Sequence, residues 1–223
     1  MTINIGFQMD PLESLNLEDD TTVAIIEECL SKNYNIWHFL PKDVSYINGE
    51  VMASSKIILE LNRDIQPSFK TSDLIRKNLK ELDLIFLRQD PPFDMSYITS
   101  TFLLEYIEDE VKIINKPSEV RNAPEKLFLN RWRDLTPETI ITKNISEINS
   151  FRKKHKNIIL KPLYGNGGNG IFFLSEKDKN FNSLIEIFLD SHPEQFILQE
   201  YLPNIKFGDK RIILINGKPE GAI

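Results

Sequence analysis

The feature that most constrains this chain lies in residues 158–173, where a lysine and a cluster of glycines separate two short apolar runs. The first run ends at Lys161, and the second begins at Ile171. Four of the chain's nine glycines fall within six positions between them, namely Gly165, Gly167, Gly168 and Gly170. Glycine is favoured where the backbone takes φ > 0 or approaches another group closely. The pattern predicts two strands joined by an amide-rich turn, a suitable environment beside a lysine for the oxygens of a polyphosphate.

The order of these residues leaves two interpretations open. The lysine precedes the glycines and no Gly-Lys-Ser/Thr follows, so the segment is not a Walker A loop. The run after the glycines resembles a strand rather than a helix, which argues against a Rossmann fingerprint. Glycines also serve plain tight hairpins, so a turn without a ligand stays an alternative. Lys161 favours the ligand, because a charge on a strand that faces a core rarely lacks a partner.

Composition argues against several classes of protein. The 223 residues suffice for one large domain or two smaller ones, and the formal net charge of −6 argues against a nucleic-acid or membrane-surface binder. No segment has the pattern of a signal peptide or the length of a membrane span. The single cysteine, Cys29, cannot form a disulfide within the chain and is expected to be a small buried side chain. We therefore expect a cytoplasmic protein whose partners include no nucleic acid and no membrane.

The first half of the chain alternates strands and helices. Apolar patterns predict strands at residues 3–9, 34–39, 84–87 and 111–114, and helices at about 24–30 and 96–108. Thr21 or Thr22 is expected to cap the first helix, and Asn48-Gly49 predicts a hairpin. Such alternation is typical of an open parallel sheet with covering helices, so residues 1–121 are interpreted as one α/β domain.

The pattern changes after Asn122. Strands are predicted at residues 138–141, on both sides of the glycine loop, at 195–201 and at 210–215, with helices at 146–155 and 182–189. Residues 122–223 are therefore interpreted as a second, α+β domain.

Polar turns follow the strands of the first domain, and ligands of open α/β sheets bind beyond the carboxyl ends of the strands. These turns comprise residues 10–22, 88–94 and 115–116. Arg88 and Asp90 come directly after a buried strand and are candidate ligand contacts. A salt-bridged strand end explains the same two residues equally well from spacing alone.

Several separate motifs together resemble bacterial glutathione synthetases of the ATP-grasp superfamily, over essentially the whole chain. The motifs are Gln8-Met9-Asp10-Pro11 followed by Asn16, then residues 87–94, 115–117, 124–128, 134–139, the lysine and glycine loop, 199–203 and 208–211. Two are specific, the Arg-x-Asp-Pro-Pro-Phe-Asp run and the Lys-Pro-Leu-x-Gly-x-Gly-Gly loop. The resemblance implies a pre-ATP-grasp substrate domain followed by an ATP-grasp domain that is incomplete at its carboxyl end.

The resemblance also assigns roles to residues of this chain. It implies that ATP is held by two lysines, three loop glycines, three hinge residues and a ribose-side acid, which are Lys126, Lys161, Gly165, Gly167, Gly168, Glu200, Tyr201, Leu202 and Asp209. Arg211 is implied as catalytic because it matches an arginine near the reacting phosphoryl group and carboxylate, and Lys161 because it would supply positive charge during phosphoryl transfer. The implied contacts of the dipeptide substrate are Asn16, Arg88 and Asp90.

The implied reaction joins γ-glutamylcysteine to glycine with ATP and forms glutathione, ADP and phosphate through an acyl phosphate. It needs Mg²⁺, or alternatively Mn²⁺, and no nucleophilic side chain. The three histidines, His38, His155 and His192, are therefore expected to be structural or exposed.

Members of the family are longer, and their next segment carries the Asp and Glu-x-Asn carboxylates that bind the metal. This chain ends at Ile223, just after a hairpin turn, with the returning strand hardly begun. The expectation is a truncated protein that lacks metal ligands and is inactive by itself. A catalytically incompetent ATP-binding fragment and a related carboxylate–amine ligase with another peptide substrate are the alternatives. An incomplete sheet would expose an edge, which leaves room for a partner or a homo-oligomer.

Overall fold

A computed structural model describes residues 2–165 and 167–223, with every side chain in those ranges except that of Glu125. The contacts divide the chain into two compact units. The first unit contains residues 1–128 with 164–166, and the second unit contains residues 129–163 with 167–223.

The first unit contains a large sheet and four helices in its described residues. The strands are β1 (Asn4–Gln8), β2 (Asn35–Phe39), β3 (Val44–Ile47), β4 (Glu50–Leu61), β5 (Phe69–Thr71), β6 (Ile75–Asn78), β7 (Leu84–Leu87) and β8 (Lys112–Ile114). The helices are α1 (Thr21–Ser31), α2 (Met95–Glu105), α3 (Pro117–Asn122) and α4 (Glu125–Phe128). Short 3₁₀ turns occupy Leu12–Ser14, Pro41–Asp43 and Leu79–Glu81.

The sheet combines a parallel and an antiparallel part. Its order is β3-β4-β2-β1-β7-β8, with β5 and β6 also paired to β4. Strands β2, β1, β7 and β8 run parallel, which confirms the α/β fold expected from the sequence. The hairpin at Asn48-Gly49 is also confirmed, and both residues have positive φ. Strand β6 was missed, because Ile-Arg-Lys-Asn lacks apolar alternation and forms a strand through its pairing with β4.

Helices cover both faces of this sheet. On one face, Ile5 and Phe7 of β1 pack with Ile26 and Cys29 of α1, so the expected burial of Cys29 is confirmed. On the other face, Ile85 of β7 packs in the cluster that includes Leu104 of α2. Gly6 also belongs to this second face, since side chains alternate along a strand.

The start of α1 corrects the expected cap. The Asp20 carboxylate, and neither threonine, caps the helix by accepting the Thr22 N–H at 2.7 Å. Asp20 lies one residue before the helix with extended backbone, which is the conformation an N-cap requires. Thr21 and Thr22 are thereby free to use their hydroxyl groups elsewhere.

The second unit contains two separate sheets among its described residues. Its elements are β9 (Thr139–Thr142), α5 (Ile145–His155), β10 (Ile158–Pro162), β11 (Phe172–Leu174), α6 (Phe181–Ser191), β12 (Phe196–Glu200), β13 (Ile212–Ile215) and β14 (Lys218–Ala222). Short 3₁₀ turns occupy Leu129–Arg131, Arg133–Leu135 and Pro203–Phe207. Strands β11-β10-β12-β9 form an antiparallel sheet, and β13 pairs with β14.

The antiparallel sheet of the second unit has one covered face. Ile158 and Leu160 of β10 pack with Phe151 of α5 and with Ile185 and Phe188 of α6.

The returning strand after Asn216-Gly217 is long enough to pair with β13, so the expectation that this strand had hardly begun was wrong. Every residue of the β13–β14 hairpin is exposed.

The close approach at Gly6 generates a stability prediction. A Cβ at this position would lie 2.7 Å from Leu82, 3.1 Å from Phe39 and 3.3 Å from Ile85. All three neighbours are buried, so they have little room to move. We expect Gly6→Ala to lower the free energy of unfolding by about 1–3 kcal/mol in urea titrations.

The matched control is Gly221→Ala, because a Cβ there meets nothing within 4 Å. It should leave the unfolding midpoint almost unchanged. Equal stability of the Gly6→Ala and parent proteins would contradict the packing at β1.

Candidate nucleotide and substrate sites

Strand β10 places Lys161 on the sheet face opposite the helices. Ile158 and Leu160 point into the core, so side-chain alternation puts Ile159 and Lys161 on the other side. Lys161 Nζ donates to Gln199 Oε1 at 2.9 Å, and Gln199 Nε2 donates to Thr139 Oγ1 at 2.8 Å. This polar chain crosses three strands and explains how a lysine is accommodated at the end of an apolar strand.

The same face carries an aromatic pair that the sequence analysis missed. Phe173 of β11 lies opposite Ile159, and its ring centroid is 4.5 Å from that of Tyr201. Phe173 is 51% exposed, which is unusual for a large apolar side chain. The doubled Phe172-Phe173 is the available sequence signal, and both rings are exposed in the structure. The face therefore combines flat apolar rings with a cationic group.

The predicted hinge residues follow directly after β12. The Glu200 N–H donates to Glu138 O at 2.9 Å, and the Tyr201 N–H donates to Asn157 O at 3.2 Å. Both donors are thus engaged within the second unit. The Leu202 carbonyl accepts the Ile205 N–H at 3.1 Å, while the Leu202 N–H has no partner among the described residues.

The glycine loop requires glycine for its backbone conformation. The φ values are 124° at Gly165, 62° at Gly167, 76° at Gly168 and 71° at Gly170. A Cβ at Gly167 or Gly168 would meet nothing within 4 Å, so these positions border open space. The neighbouring Asn166 lies outside the described residues. Exposed backbone amides beside empty space are suited to a ligand with several oxygen atoms.

The other predicted nucleotide residues lie in different elements. Lys126 belongs to α4 of the first unit. Asp209 and Arg211 are exposed beside the β13–β14 hairpin, and the Arg211 backbone exchanges two 2.9 Å hydrogen bonds with Ile223. Lys161 therefore belongs to the four-stranded sheet, whereas Arg211 directly precedes β13 of the separate two-stranded sheet.

The predicted substrate residues converge at the start of α1. Arg88 Nε donates to Thr22 Oγ1 at 3.0 Å, and its Nη2 donates to Thr21 Oγ1 at 2.8 Å. The carbonyl of Asn16 accepts the Asp20 N–H at 3.0 Å just before the helix. Within the described parts of the chain, Arg88 has no acidic partner within ion-pair distance. The described residues therefore show no salt-bridged strand end at Arg88, and its contact with a ligand stays a prediction.

Asp90 lies in an acidic environment beside this arginine. Its N–H donates to Asp10 Oδ2 at 2.7 Å. Partial burial raises the pKa of Asp90, the charges of Asp10 and Asp20 raise it further, and Arg88 opposes them. A cavity of about 290 Å³ opens here, lined by the acids Asp10, Asp90 and Asp94 and by the cation Lys42. The three acids suit a ligand that carries an ammonium group.

A buried amide holds the loop that carries Arg88 and Asp90. Gln8 is fully buried on β1, and its Nε2 donates to Gln89 Oε1 and to Ser100 Oγ. The Ser100 hydroxyl also donates to Gln89 Oε1 at 3.0 Å. This role of Gln8 was not predicted from the sequence, where a glutamine inside an apolar strand is the visible signal.

The three histidines make local contacts. His38 is buried with Nε2 at 3.1 Å from Asp10 O, His155 Nε2 lies 3.3 Å from Glu138 Oε2, and His192 stacks on Phe188.

Across residues 2–165 and 167–223, no three His, Cys, Asp or Glu side chains are placed to bind a metal ion together. In the same ranges, no helix combines the length and apolar character needed to cross a membrane.

Comparison with known proteins decides the family. The sequence family of the prokaryotic glutathione synthetase N-terminal domain matches residues 3–121. The sequence family of the prokaryotic glutathione synthetase ATP-grasp domain matches residues 125–223. The chain belongs to the prokaryotic glutathione synthetase family. It is therefore an ATP-dependent ligase of the ATP-grasp type.

Glutathione synthetases from three bacteria illustrate the similarity. The chain is 47% identical to that of Agrobacterium fabrum over 99% of its length, and 44% identical to that of Brucella melitensis over 100%. The glutathione synthetase of Escherichia coli is 38% identical over 97%. The chain spans 69%, 71% and 69% of these three relatives, respectively.

Solved structures support the fold of this glutathione synthetase family member. A RimK domain ATP-grasp protein from Sphaerobacter thermophilus matches 94% of the chain and 67% of its own length, with a TM-score of 0.59 at 12% identity. D-alanyl-alanine synthetase A from Vibrio cholerae matches 98% of the chain and 64% of its own, with a TM-score of 0.57 at 10% identity. At such identities the likeness concerns the fold.

The raised pKa of Asp90 predicts how Asp90→Asn changes stability with pH. Because the folded state disfavours the charged carboxylate, the substitution should stabilise the protein at pH 7, by less than about 1 kcal/mol for this exposed side chain. The gain should vanish as the pH falls through the pKa of Asp90, where the parent carboxyl becomes neutral. Urea unfolding at pH 7 and at acidic pH measures both values. Asp109→Asn, at another exposed aspartate, is the control, and lower stability of Asp90→Asn at pH 7 would contradict this electrostatic account.

Proposed function

We propose that this protein is a glutathione synthetase, which joins γ-glutamylcysteine to glycine with ATP and forms glutathione, ADP and phosphate. The observation that carries the proposal is the match of both glutathione synthetase domain models, in order, along the chain. The substrates are small molecules, with no nucleic acid or membrane among the partners. We include a cytoplasmic location and a homo-oligomer in the proposal, the latter to be measured by light scattering.

The nucleotide would bind on the open face of the β11-β10-β12-β9 sheet. Phe173 and Tyr201 offer flat apolar surface for a purine, and the Leu202 N–H offers a donor to its edge. Lys161 would exchange its bond with Gln199 for one to a phosphate oxygen, a stronger charge-assisted bond. Lys126 and Asp209 complete the proposed set, toward phosphate and ribose respectively. The amides around Gly167 and Gly168 would cover the phosphates.

The dipeptide would bind beyond the carboxyl ends of β1 and β7. Asp90 and Asp10 would attract the α-ammonium group of the γ-glutamyl unit, because both carboxylates lie at one cavity. Arg88 would pair with the adjacent carboxylate, since its present partners are two uncharged hydroxyls. Asn16 lies at the same helix start and would contribute its amide.

The chemistry follows from the poor reactivity of a carboxylate. Its negative charge repels an attacking amine, and transfer of the γ-phosphoryl group converts it into an acyl phosphate, which is a good electrophile. The glycine amine then attacks, and phosphate leaves. Lys161 and Arg211 would offset the charge that develops during transfer, while the glycine loop would exclude water that hydrolyses the intermediate.

We propose Mg²⁺, or alternatively Mn²⁺, as the metal that such a reaction uses to neutralise phosphate charge. Octahedral Mg²⁺ prefers oxygen ligands, usually one or two carboxylates together with phosphates and water. The described residues hold no cluster of three acidic or histidine side chains that fits this need. No step is therefore assigned to a metal-binding residue of this chain.

Lys161→Gln tests the proposed nucleotide face. Loss of the charge should weaken ATP binding about tenfold or more, because a charge-assisted bond to phosphate is lost. Isothermal titration calorimetry measures this affinity, and coupled assays of glutathione formation measure turnover. Lys153→Gln is the control, since Lys153 is exposed on α5.

The outcomes separate the competing functions. Glutathione formation from γ-glutamylcysteine and glycine supports the proposal. ATP binding without turnover favours a catalytically incompetent nucleotide-binding protein, and turnover with another dipeptide favours a related ligase. Equal ATP affinity of the Lys161→Gln and Lys153→Gln proteins would remove Lys161 from the site.

Gly168→Ala tests the proposed lid separately from stability. Gly217→Ala is the matched control, because Gly168 and Gly217 have φ of 76° and 77° and a Cβ at either meets nothing within 4 Å. Each substitution should cost about 1 kcal/mol of stability, since alanine disfavours positive φ. Only Gly168→Ala should also reduce ATP-dependent turnover. An equal loss of turnover in both variants would show that backbone strain alone is responsible.

A further inference from the structure

A second cavity of about 290 Å³ lies in the first unit and is not used by the proposed reaction. It opens on the sheet face covered by α1, between the segment after β1 and strands β2, β4 and β5. Its walls are partly apolar, with Leu12, Leu15, Leu17, Pro67, Phe69 and Leu74, and partly polar. We call it the leucine cavity. A concave site that combines apolar walls with polar groups is the usual form of a small-molecule site.

Its polar groups lie beside one another on two paired strands. His38 of β2 pairs with Lys56 of β4, so the two side chains share a face and both line the cavity. His38 is 8% exposed, and its Nε2 lies 3.1 Å from the carbonyl oxygen of Asp10. A carbonyl can only accept, so Nε2 carries the hydrogen and Nδ1 of the neutral ring is an acceptor. Burial lowers the pKa of His38, which favours this neutral form.

The charges around His38 are of both signs. Lys56 contributes a cation, and Glu13 and Asp43 contribute carboxylates to the same cavity wall. A complementary ligand therefore carries a carboxylate for Lys56 and an ammonium group for the acids and for His38 Nδ1. Its remaining surface must be apolar to match the leucine wall. The volume lies at the lower end of the range for ligand pockets, which suits an amino acid or a dipeptide.

The leucine cavity adjoins the proposed substrate cavity. Pro11 and Leu40 line both. Asp10 connects them, because its carbonyl meets His38 Nε2 and its carboxylate accepts the Asp90 N–H. A ligand that contacts His38 thus reaches Asp90 through a single intervening residue.

We propose that the leucine cavity binds a zwitterionic amino acid or dipeptide with an apolar side chain, and that its occupancy is transmitted through Asp10 to Asp90. This site is distinct from the substrate site, and its ligand does not depend on the ligase reaction. Direct binding measurements therefore test it even if the proposed function fails.

The experiment is a titration of the full chain, followed by backbone amide NMR, with L-leucine, L-phenylalanine and L-leucyl-L-leucine. We expect at least one of them to shift the amides of Leu12, His38 and Phe69, and to shift that of Asp90 as well. N-acetyl-L-leucine and L-leucinamide each lack one charge and should bind about tenfold more weakly. Lys56→Gln should weaken binding by a similar factor. Lys70→Gln is the control and should leave binding unchanged, because Lys70 is exposed on β5 and does not line the cavity.

A second variant, Leu74→Trp, tests the site independently in case Lys56→Gln fails to fold. Leu74 is 62% exposed at the cavity mouth, so Leu74→Trp should block entry and abolish binding while leaving distant amide resonances in place. The site is refuted if no zwitterion shifts the cavity amides at millimolar concentration, or if Lys56→Gln and Leu74→Trp bind as the parent does. It is also refuted if γ-glutamylcysteine competes for the same amides, because the cavity would then belong to the substrate site. Cavity shifts without a shift at Asp90 would refute the transmission through Asp10.

Discussion

The alternation of side chains along β1 and β10 is the constraint on which both units depend. Each strand sends alternate side chains to opposite faces of its sheet, because a strand has a period of two. In β10 this places Ile158 and Leu160 among helices and Lys161 on the open face. In β1 it buries Phe7 against α1 and directs Gln8 toward the loop that carries Arg88. The cores thus determine where the candidate site residues point.

Arg88 is held by neutral partners, since it bonds to two hydroxyls and has no acid within ion-pair distance among the described residues. Lys161 also donates to the side-chain amide of Gln199. The neutral partners of Arg88 fix the geometry of its guanidinium but leave the charge available to an anionic ligand. Asp90 differs, because its partial burial and the nearby acids Asp10 and Asp20 disfavour the ionised form of its carboxyl group. An ammonium group of a ligand would offset the repulsion between these carboxylates. Such local electrostatic cost is typical of binding sites, where stability is subordinate to function.

Much of the fold was predictable because its signals are local. The apolar runs identified the parallel strands, Asn48-Gly49 identified a hairpin, and the motifs identified an ATP-grasp family from residue identity and spacing alone. Predictions failed for two different reasons. Strand β6 depends on a distant partner, because it forms through its pairing with β4. The cap of α1 is local, but Asp20 and the two threonines are all favoured cap residues, and the backbone conformation decides that the Asp20 carboxylate reaches the Thr22 N–H.

The sequence by itself determined the family, the order of the two domain types and the set of candidate residues, because these depend on residue identity and spacing. Only the tertiary structure decided which of them meet. It brought Arg88, Asn16 and Asp90 to one helix start, and it joined Lys161 to Gln199 and Thr139. The glycine loop, ambiguous as sequence, became a set of positive-φ residues beside open space. The physical reason is that hydrogen bonds and burial between distant segments form only when the strands pair.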